Sequence, residues 1–411
     1  MKRSLSFVAS ATALIAATYG LVRLAYGLYL PDMQRDLGFD AGTAGLISAG
    51  ASLVYCLAAA TGFLAGARHP RSLVVAAGIT AGTGCLAMTL APGTGMLAAG
   101  AVLSSAAAGF ASPAVVALVD RNTPAAARDR AQNAANAGTG PGLVVAGLLA
   151  LVLLPQWRAG WLVAGIATAV AAVLVLAGDR RPGTGAPTRA LPPVTWFAGH
   201  RAPLAAALLL GAGSAAVWSY GRSLLAGAGS PGNGSTVAWI ALGIGGAAVL
   251  LTSRWTVRLP VRTAWWLTSG AVAAATLALP AVADRLPVAA GVCALFGWGY
   301  TAATGVLISW TARIDPARAA SGTAALFVTL VLGQAIGAAG AGALSGGGTA
   351  FVAAGFAGLV AAAAGWWARV PVRTGSPGSP ADGPRPAGSP GRAPAGRAGR
   401  PSSSSVPPRA G

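Results

Sequence analysis

Residues 6–31 read SFVASATALIAATYGLVRLAYGLYLP, an apolar run whose only charged side chain is Arg23. An α-helix needs about 20 residues to cross the hydrocarbon core of a bilayer, so this run is long enough to span one. Eleven further apolar runs of similar length follow, separated by polar segments. A spanning segment must satisfy its own backbone hydrogen bonds, and no period-two alternation is present. The sequence therefore predicts an all-α membrane protein with twelve transmembrane helices.

The predicted spans form two groups of six around a longer polar stretch, residues 179–201. They lie near residues 6–30, 42–66, 72–91, 95–119, 131–153, 160–177, 202–228, 235–252, 263–281, 286–310, 320–344 and 349–368. Repeated halves are typical of transporter folds, so we predict two pseudo-symmetric six-helix bundles, residues 1–178 and 202–368, joined by a cytoplasmic linker. Residues 369–411 are rich in Pro, Gly, Ser and Arg, which predicts a disordered cytoplasmic tail.

The amino-acid composition indicates that most of the chain is surrounded by lipid. Of 411 residues, 55% are hydrophobic and only 9% are charged, with a net charge of +19. A soluble domain carries about 25% charged residues, so this chain cannot cover a water-facing surface of its size. The absence of Cys/His clusters, of glutamate and of any mid-span aspartate argues against an enzyme, a metal or a cofactor. A polytopic membrane enzyme is the alternative from another class.

The distribution of basic residues predicts the orientation. Loops on the side of the N-terminus hold 16 lysines and arginines, and the opposite loops hold three, Arg35, Arg158 and Arg285. This bias follows the positive-inside rule and places both termini in the cytoplasm, with the chain in the inner (plasma) membrane. Because the charges are spread over many loops, they form no stripe for nucleic acid. The first apolar run reaches Leu30, too far for a signal-peptide core, so we expect an uncleaved first helix.

Two intramembrane arginines are the main candidates for substrate binding. Tyr19, Arg23 and Tyr26 share one helical face, and Trp218 and Arg222 repeat the aromatic-to-arginine spacing in the second half. A charge near the bilayer centre costs about 2.5–3.5 kcal/mol, so it tends to mark function. Two guanidinium groups facing a central cavity would suit a carboxylate or phosphate. The alternative is that each arginine, about 12 Å from the outer helix end, snorkels to the interface or bonds another helix.

Other polar positions are secondary candidates. We expect Asn136, Gln334 and Trp298 to line the cavity, with interhelical bonding or lipid contact as the alternative. Gly140 and Pro141 are expected to bend the fifth span during conformational change, with helix packing as the alternative. Aspartates such as Asp32 are placed in loops, so proton symport through a buried carboxylate is not expected, while facilitated transport, exchange or coupling through rim residues remains open.

Several motifs resemble a known family. Residues 62–71, GFLAGARHPR, resemble the signature loop of the major facilitator superfamily of secondary transporters, in which Gly62 and Arg71 would have conformational roles. Gly140-Pro141 resembles part of the exporter and antiporter pattern, and Trp157-Arg158 before the sixth span is a common family feature. The resemblance covers residues 1 to about 368. It implies the family fold, alternating access and a small-molecule substrate, and family members that carry organic phosphates use paired arginines on the same two helices.

The departures from the family pattern bear on the substrate. Gly66 replaces the signature-loop aspartate and His69 replaces its second glycine, so of that charge cluster only Arg71 remains. Ser104 and Ser105 lie where proton-coupled drug exporters carry an arginine. Two substrate classes therefore stay open, a small organic anion held by the two intramembrane arginines and a hydrophobic or drug-like compound that is exported. We expect a monomer in the lipid bilayer.

Overall fold

The structure is a computed structural model that describes residues 2–65, 68–179, 192–229, 233–256 and 258–365. Within these ranges every regular segment is helical, which confirms the all-α fold predicted from the sequence. The predicted tail, residues 369–411, and most of the predicted linker, residues 180–191, lie outside the described residues.

The α-helices, numbered in chain order, have the following bounds: α1 (Lys2–Ile15), α2 (Ala25–Leu37), α3 (Ala41–Ala65), α4 (Pro70–Thr89), α5 (Thr94–Asn122), α6 (Arg128–Asn136), α7 (Thr139–Leu153), α8 (Trp157–Gly178), α9 (Val194–Gly199), α10 (Arg201–Gly227), α11 (Gly234–Thr256), α12 (Val261–Ala278), α13 (Leu286–Ile314), α14 (Ala319–Ala343) and α15 (Gly348–Ala364). In the described part of the chain, eleven helical segments are long and apolar enough to cross a membrane, and α15 is a shorter apolar helix. The twelve predicted spans correspond to these segments.

The first span is longer than the sequence suggested. A π-helical segment, Ala16–Arg23, joins α1 to α2, and the apolar helix runs from Leu5 to Leu37. The predicted span ends at residue 30, but the helix continues through Pro31 and stops only at Gly38, whose φ of 69° closes the last turn. A proline is tolerated inside a transmembrane helix because neighbouring groups satisfy the freed backbone. Asp32, which we had placed in a loop, therefore lies in α2 and is buried.

Two other segments refine the predicted boundaries. The fifth span is divided by a turn at Ala137 and Gly138 into α6 and α7, so Pro141 lies in the first turn of α7, where a missing N–H costs nothing. The predicted linker contains the short helix α9. Its buried Trp196 donates from Nε1 to Oδ2 of Asp315, 3.2 Å away, which fixes the end of the linker to the loop between α13 and α14.

Glycines allow the helices to approach closely. A Cβ on Gly142 of α7 would collide with the carbonyl of Ala16, and one on Gly138 would lie 2.5 Å from the carbonyl of Thr12. In α3, a Cβ on Gly62 would lie 2.5 Å from Pro113 of α5. With little hydrophobic driving force between helices in lipid, such close packing is a main source of their association.

The two groups of six spans meet mainly through three helix pairs, α2 with α10, α3 with α14, and α7 with α11, and α3 also contacts α10. Small residues lie at each contact. A Cβ on Gly27 would collide with the carbonyl of Trp218, one on Gly45 would lie 2.5 Å from that of Ala338, and one on Gly140 would lie 3.3 Å from the amide nitrogen of Ala247. Gly140 therefore lies where the groups touch, close to the Pro141 expected to permit bending.

We predict that Gly142→Val lowers the free energy of unfolding by about 1–3 kcal/mol, because the added side chain forces α7 away from the first span. Thermal unfolding of the purified protein in detergent measures the effect. Gly82→Val is the matched control, since a Cβ at this helical glycine meets nothing within 4 Å. Equal unfolding temperatures for the two variants would contradict the packing described here.

Candidate functional site

A cavity lies between the two groups of spans, and we call it the central cavity. Its wall is formed by the first span with α3, α4, α5 and α8 on one side, and by α10 and α14 on the other. Polar wall positions include Ser52, Ser104 and Ser105. Arg23 is the one charged side chain among the described residues that line it.

Arg23 enters the cavity from the π-helical segment. The Leu24 N–H donates to the carbonyl of Tyr19 at 2.9 Å, the i to i+5 bond of a π-turn, and such turns are frequent at functional sites. The half-buried Arg23 donates from Nη2 to Oε1 of Gln334 at 3.0 Å, and its guanidinium lies 4.4 Å from the ring centre of Tyr55. Its Nε is buried without a hydrogen-bond partner. Among the described residues, no carboxylate forms an ion pair with Arg23.

Aromatic side chains extend the site on both sides of Arg23. In the first group, the hydroxyls of Tyr19 and Tyr55 share a hydrogen bond of 2.8 Å. In the second, Gln334 donates from Nε2 to the hydroxyl of Tyr300 at 3.0 Å. The contact between Arg23 and Gln334 therefore joins polar networks that belong to different groups of spans.

Three rings pack together on the side of the second group, and one of them, Trp218, lines the cavity. Phe296 stacks on Tyr300 with ring centres 6.1 Å apart, and Trp218 meets both rings edge-on at 5.5 and 5.2 Å. Trp218 lines the cavity and is 8% exposed. An apolar or aromatic body beside Arg23 would find a ring surface there.

Arg222 lies away from the central cavity. It donates from Nη1 to the carbonyl of Leu28 at 2.6 Å and forms an ion pair with Asp32. Arg222 is 7% exposed and Asp32 is 6% exposed, so the pair is buried. Arg35 adds a second contact to the same carboxylate at 3.1 Å. The structure thus does not bring Arg23 and Arg222 together, and the predicted pair of guanidinium groups around one anion is not formed here.

The ion pair belongs to a set of contacts that we call the closed rim, made of Asp32, Ser48, Ser219, Tyr220 and Arg222. The hydroxyls of Ser48 and Ser219 are 3.1 Å apart, and the hydroxyl of Tyr220 donates to the carbonyl of Ala41 at 2.8 Å. Each contact joins α2 or α3 to α10. At this rim the two groups of spans are tied by both charge and hydrogen bonds.

Of the remaining residues predicted to bind substrate, some line the central cavity and others lie outside it. Tyr26 and Gln334 line the central cavity, and the hydroxyl of Tyr26 donates to the carbonyl of Ala44 at 3.2 Å. Asn136 is an exposed residue at the end of α6 and does not line it. Trp298 also lies elsewhere, because its Nε1 donates to Oγ1 of Thr252, 2.9 Å away on α11.

Sequence reasoning did not select four residues that the structure brings to the site: Tyr55, Tyr300, Trp161 and Ser105. Aromatic and small polar residues within spans suit lipid or helix contacts equally well, so a single sequence gave no preference. The π-turn that directs Arg23 has no local sequence signal that we recognised.

The signature-loop arginine has a carboxylate partner in another helix. Arg71 donates from Nη1 to Oδ2 of Asp179 at 2.9 Å, and Arg121 and Asn122 bond the same carboxylate. Burial alone would raise the pKa of Asp179, but these hydrogen bonds outweigh it and hold the pKa below its usual value. Gly66, which stands where the family aspartate is expected, is outside the described residues. Asp179, at the end of α8, thus ties α4 and α5 to α8.

We predict that Asp32→Ala destabilises the protein strongly, by about 3–5 kcal/mol, because Arg222 would remain buried without its counter-charge. Removing both charges in Asp32→Ala/Arg222→Met should recover much of this loss. Thermal unfolding in detergent gives the ranking, and the exposed Asp284→Ala serves as the control. If the single variant unfolds at the same temperature as the control, the ion pair does not hold the rim.

Comparisons with known proteins were made for sequence and fold. Residues 12–338 match the family model described as Major Facilitator Superfamily. No curated protein matches the chain. A bacterial homologue of the human lysosomal transporter Spinster, in an inward-facing and unoccupied conformation, is similar with a TM-score of 0.67 and 16% identity, covering 89% of this chain and 96% of that one. The nucleoside transporter NupG is similar with a TM-score of 0.71 and 14% identity, covering 89% of this chain and 98% of that one.

Proposed function

Because the chain belongs to the Major Facilitator Superfamily, we propose that it carries a small organic anion across the membrane by alternating access, with Arg23 holding the anion. The observation that carries this proposal is the state of Arg23. It is the charged residue of the described cavity wall, its Nε is unbonded, and its side-chain partner there is the neutral amide of Gln334. An arginine keeps its charge and offers a bidentate fork to a carboxylate.

Electrostatics favour exchange of the amide for an anion. A carboxylate can accept two parallel hydrogen bonds from a guanidinium and also neutralises its charge, whereas the amide of Gln334 accepts one bond and carries no charge, so a carboxylate is a better partner for Arg23 than Gln334 is. Gln334 would keep its bond to the hydroxyl of Tyr300. Trp218, which lines the cavity and packs on Phe296 and Tyr300, would hold the body of the molecule.

In the proposed mechanism, movement of the two halves relative to each other carries the substrate across the membrane. The moving bodies are residues 1–178 and 202–368, which touch through the helix pairs described above. With the termini in the cytoplasm, as the loop charges predict, the closed rim faces outwards. Opening that face requires Arg222 to leave Asp32, so we assign Arg222 to the rim and not to the anion.

Transport of a hydrophobic or drug-like compound is the second candidate. It is favoured by the three clustered rings and by the apolar wall residues Met88 and Ala101. An uncharged substrate of this kind would gain little binding free energy from Arg23. The charge dependence of transport therefore separates the two candidates.

We predict that Arg23→Gln lowers uptake of substituted benzoates into proteoliposomes by about 10–100-fold, the loss expected when hydrogen bonds to a charged group are removed. The control is Arg285→Gln, a change of the same charge at an exposed position. Uptake that is equal in both variants, or inhibited equally by uncharged aromatic amides and by benzoates, would favour the hydrophobic substrate.

A further inference from the structure

We propose that the transported anion carries a second hydrogen-bond acceptor, which binds Trp161 and Ser105 in the wall of the central cavity. This inference rests on the function proposed above and adds the class of substrate. Both residues line the cavity wall, on α8 and α5, and are 1% and 2% exposed. Nε1 of Trp161 and Oγ of Ser105 are buried without a hydrogen-bond partner.

The unbonded polar atoms of the cavity wall are mainly donors, so they require hydrogen-bond acceptors. An indole N–H and the Nε of a guanidinium can only donate, and a serine hydroxyl can donate as well. Trp161, Trp218 and Arg23 each contribute such an unbonded donor to the wall, whereas no carboxylate lies among its described residues. Buried polar groups in proteins are nearly always bonded, so an unbonded set on one cavity wall indicates a ligand with oxygen acceptors.

The position of Trp161 sets the distance between the two acceptors. Its ring meets that of Tyr29 edge-on, with centres 5.2 Å apart. Tyr29 follows Arg23 by six residues in the first span, a rise of roughly 9 Å towards the closed rim. A substrate with its carboxylate at Arg23 therefore reaches Trp161 with a group at its opposite end.

Apolar side chains also line the cavity, beside the serines named above. Tyr26, Met88 and Ala101 line the cavity together with Trp161. These side chains suit a ring or short hydrocarbon body and offer no strong charge. The substrate class is thus an amphipathic carboxylate with an apolar middle and a carbonyl or similar oxygen at the far end.

The test compares two ligands of nearly equal shape, 4-acetylbenzoate and 4-isopropylbenzoate, in calorimetric titrations of the purified full-length protein. Only the first carries the second acceptor. We expect the wild type to bind 4-acetylbenzoate about tenfold more tightly, the value of one additional hydrogen bond. Trp161→Phe and Ser105→Ala should each reduce this preference, measured as the ratio of the two affinities.

Two controls separate this inference from the proposed function. Trp239→Phe removes an unbonded indole N–H that lies outside the cavity wall, so it should keep the preference. Arg23→Gln should weaken both ligands and also keep the preference. Equal binding of the two ligands by the wild type, or an unchanged preference in both Trp161→Phe and Ser105→Ala, would overturn the second acceptor while leaving the anion proposal intact. Failure of the wild type to bind either benzoate would overturn both.

Discussion

A guanidinium group inside a membrane has to find its partners within the protein, because lipid offers none. The two intramembrane arginines of this chain meet this constraint in opposite ways. Each has a buried Nε without a hydrogen-bond partner. Arg222 has a buried carboxylate, Asp32, and a backbone carbonyl, whereas Arg23 has an amide and a tyrosine ring. The charge of Arg222 is therefore neutralised, and its contacts tie two helices together. The charge of Arg23 is not neutralised by a described carboxylate, and Arg23 lines the cavity.

The closed rim and the central cavity are connected through the first span. Arg23 and Asp32 lie on one continuous helix, nine residues apart, and their partners Gln334 and Arg222 lie in the second group of spans. An anion that takes the place of Gln334 would remove one polar contact between the groups and leave the rim pair intact. Anion binding at Arg23 would therefore alter the balance between the contacts that hold the two halves together.

The sequence predicted most of the fold because lipid imposes strong rules on composition. Apolar runs of about 20 residues located the spans. Local signals were less reliable where tertiary contacts decide the outcome. Pro31 suggested a helix end, yet the helix continues to Leu37 with Asp32 buried against α10. The predicted Arg23 does line the cavity, whereas the partner of Arg222 is on another helix and could not be read from its neighbours in sequence.

The central claim is that the two halves separate at the closed rim during transport. Ser48→Cys and Ser219→Cys, introduced together after replacement of Cys56, Cys85 and Cys293, place two thiols where hydroxyls are now 3.1 Å apart. Uptake of the substituted benzoates into proteoliposomes, measured before and after oxidation, tests this claim most directly. A disulfide should abolish uptake and reduction should restore it, with each single-cysteine variant unaffected. Full uptake by the cross-linked protein would contradict the account.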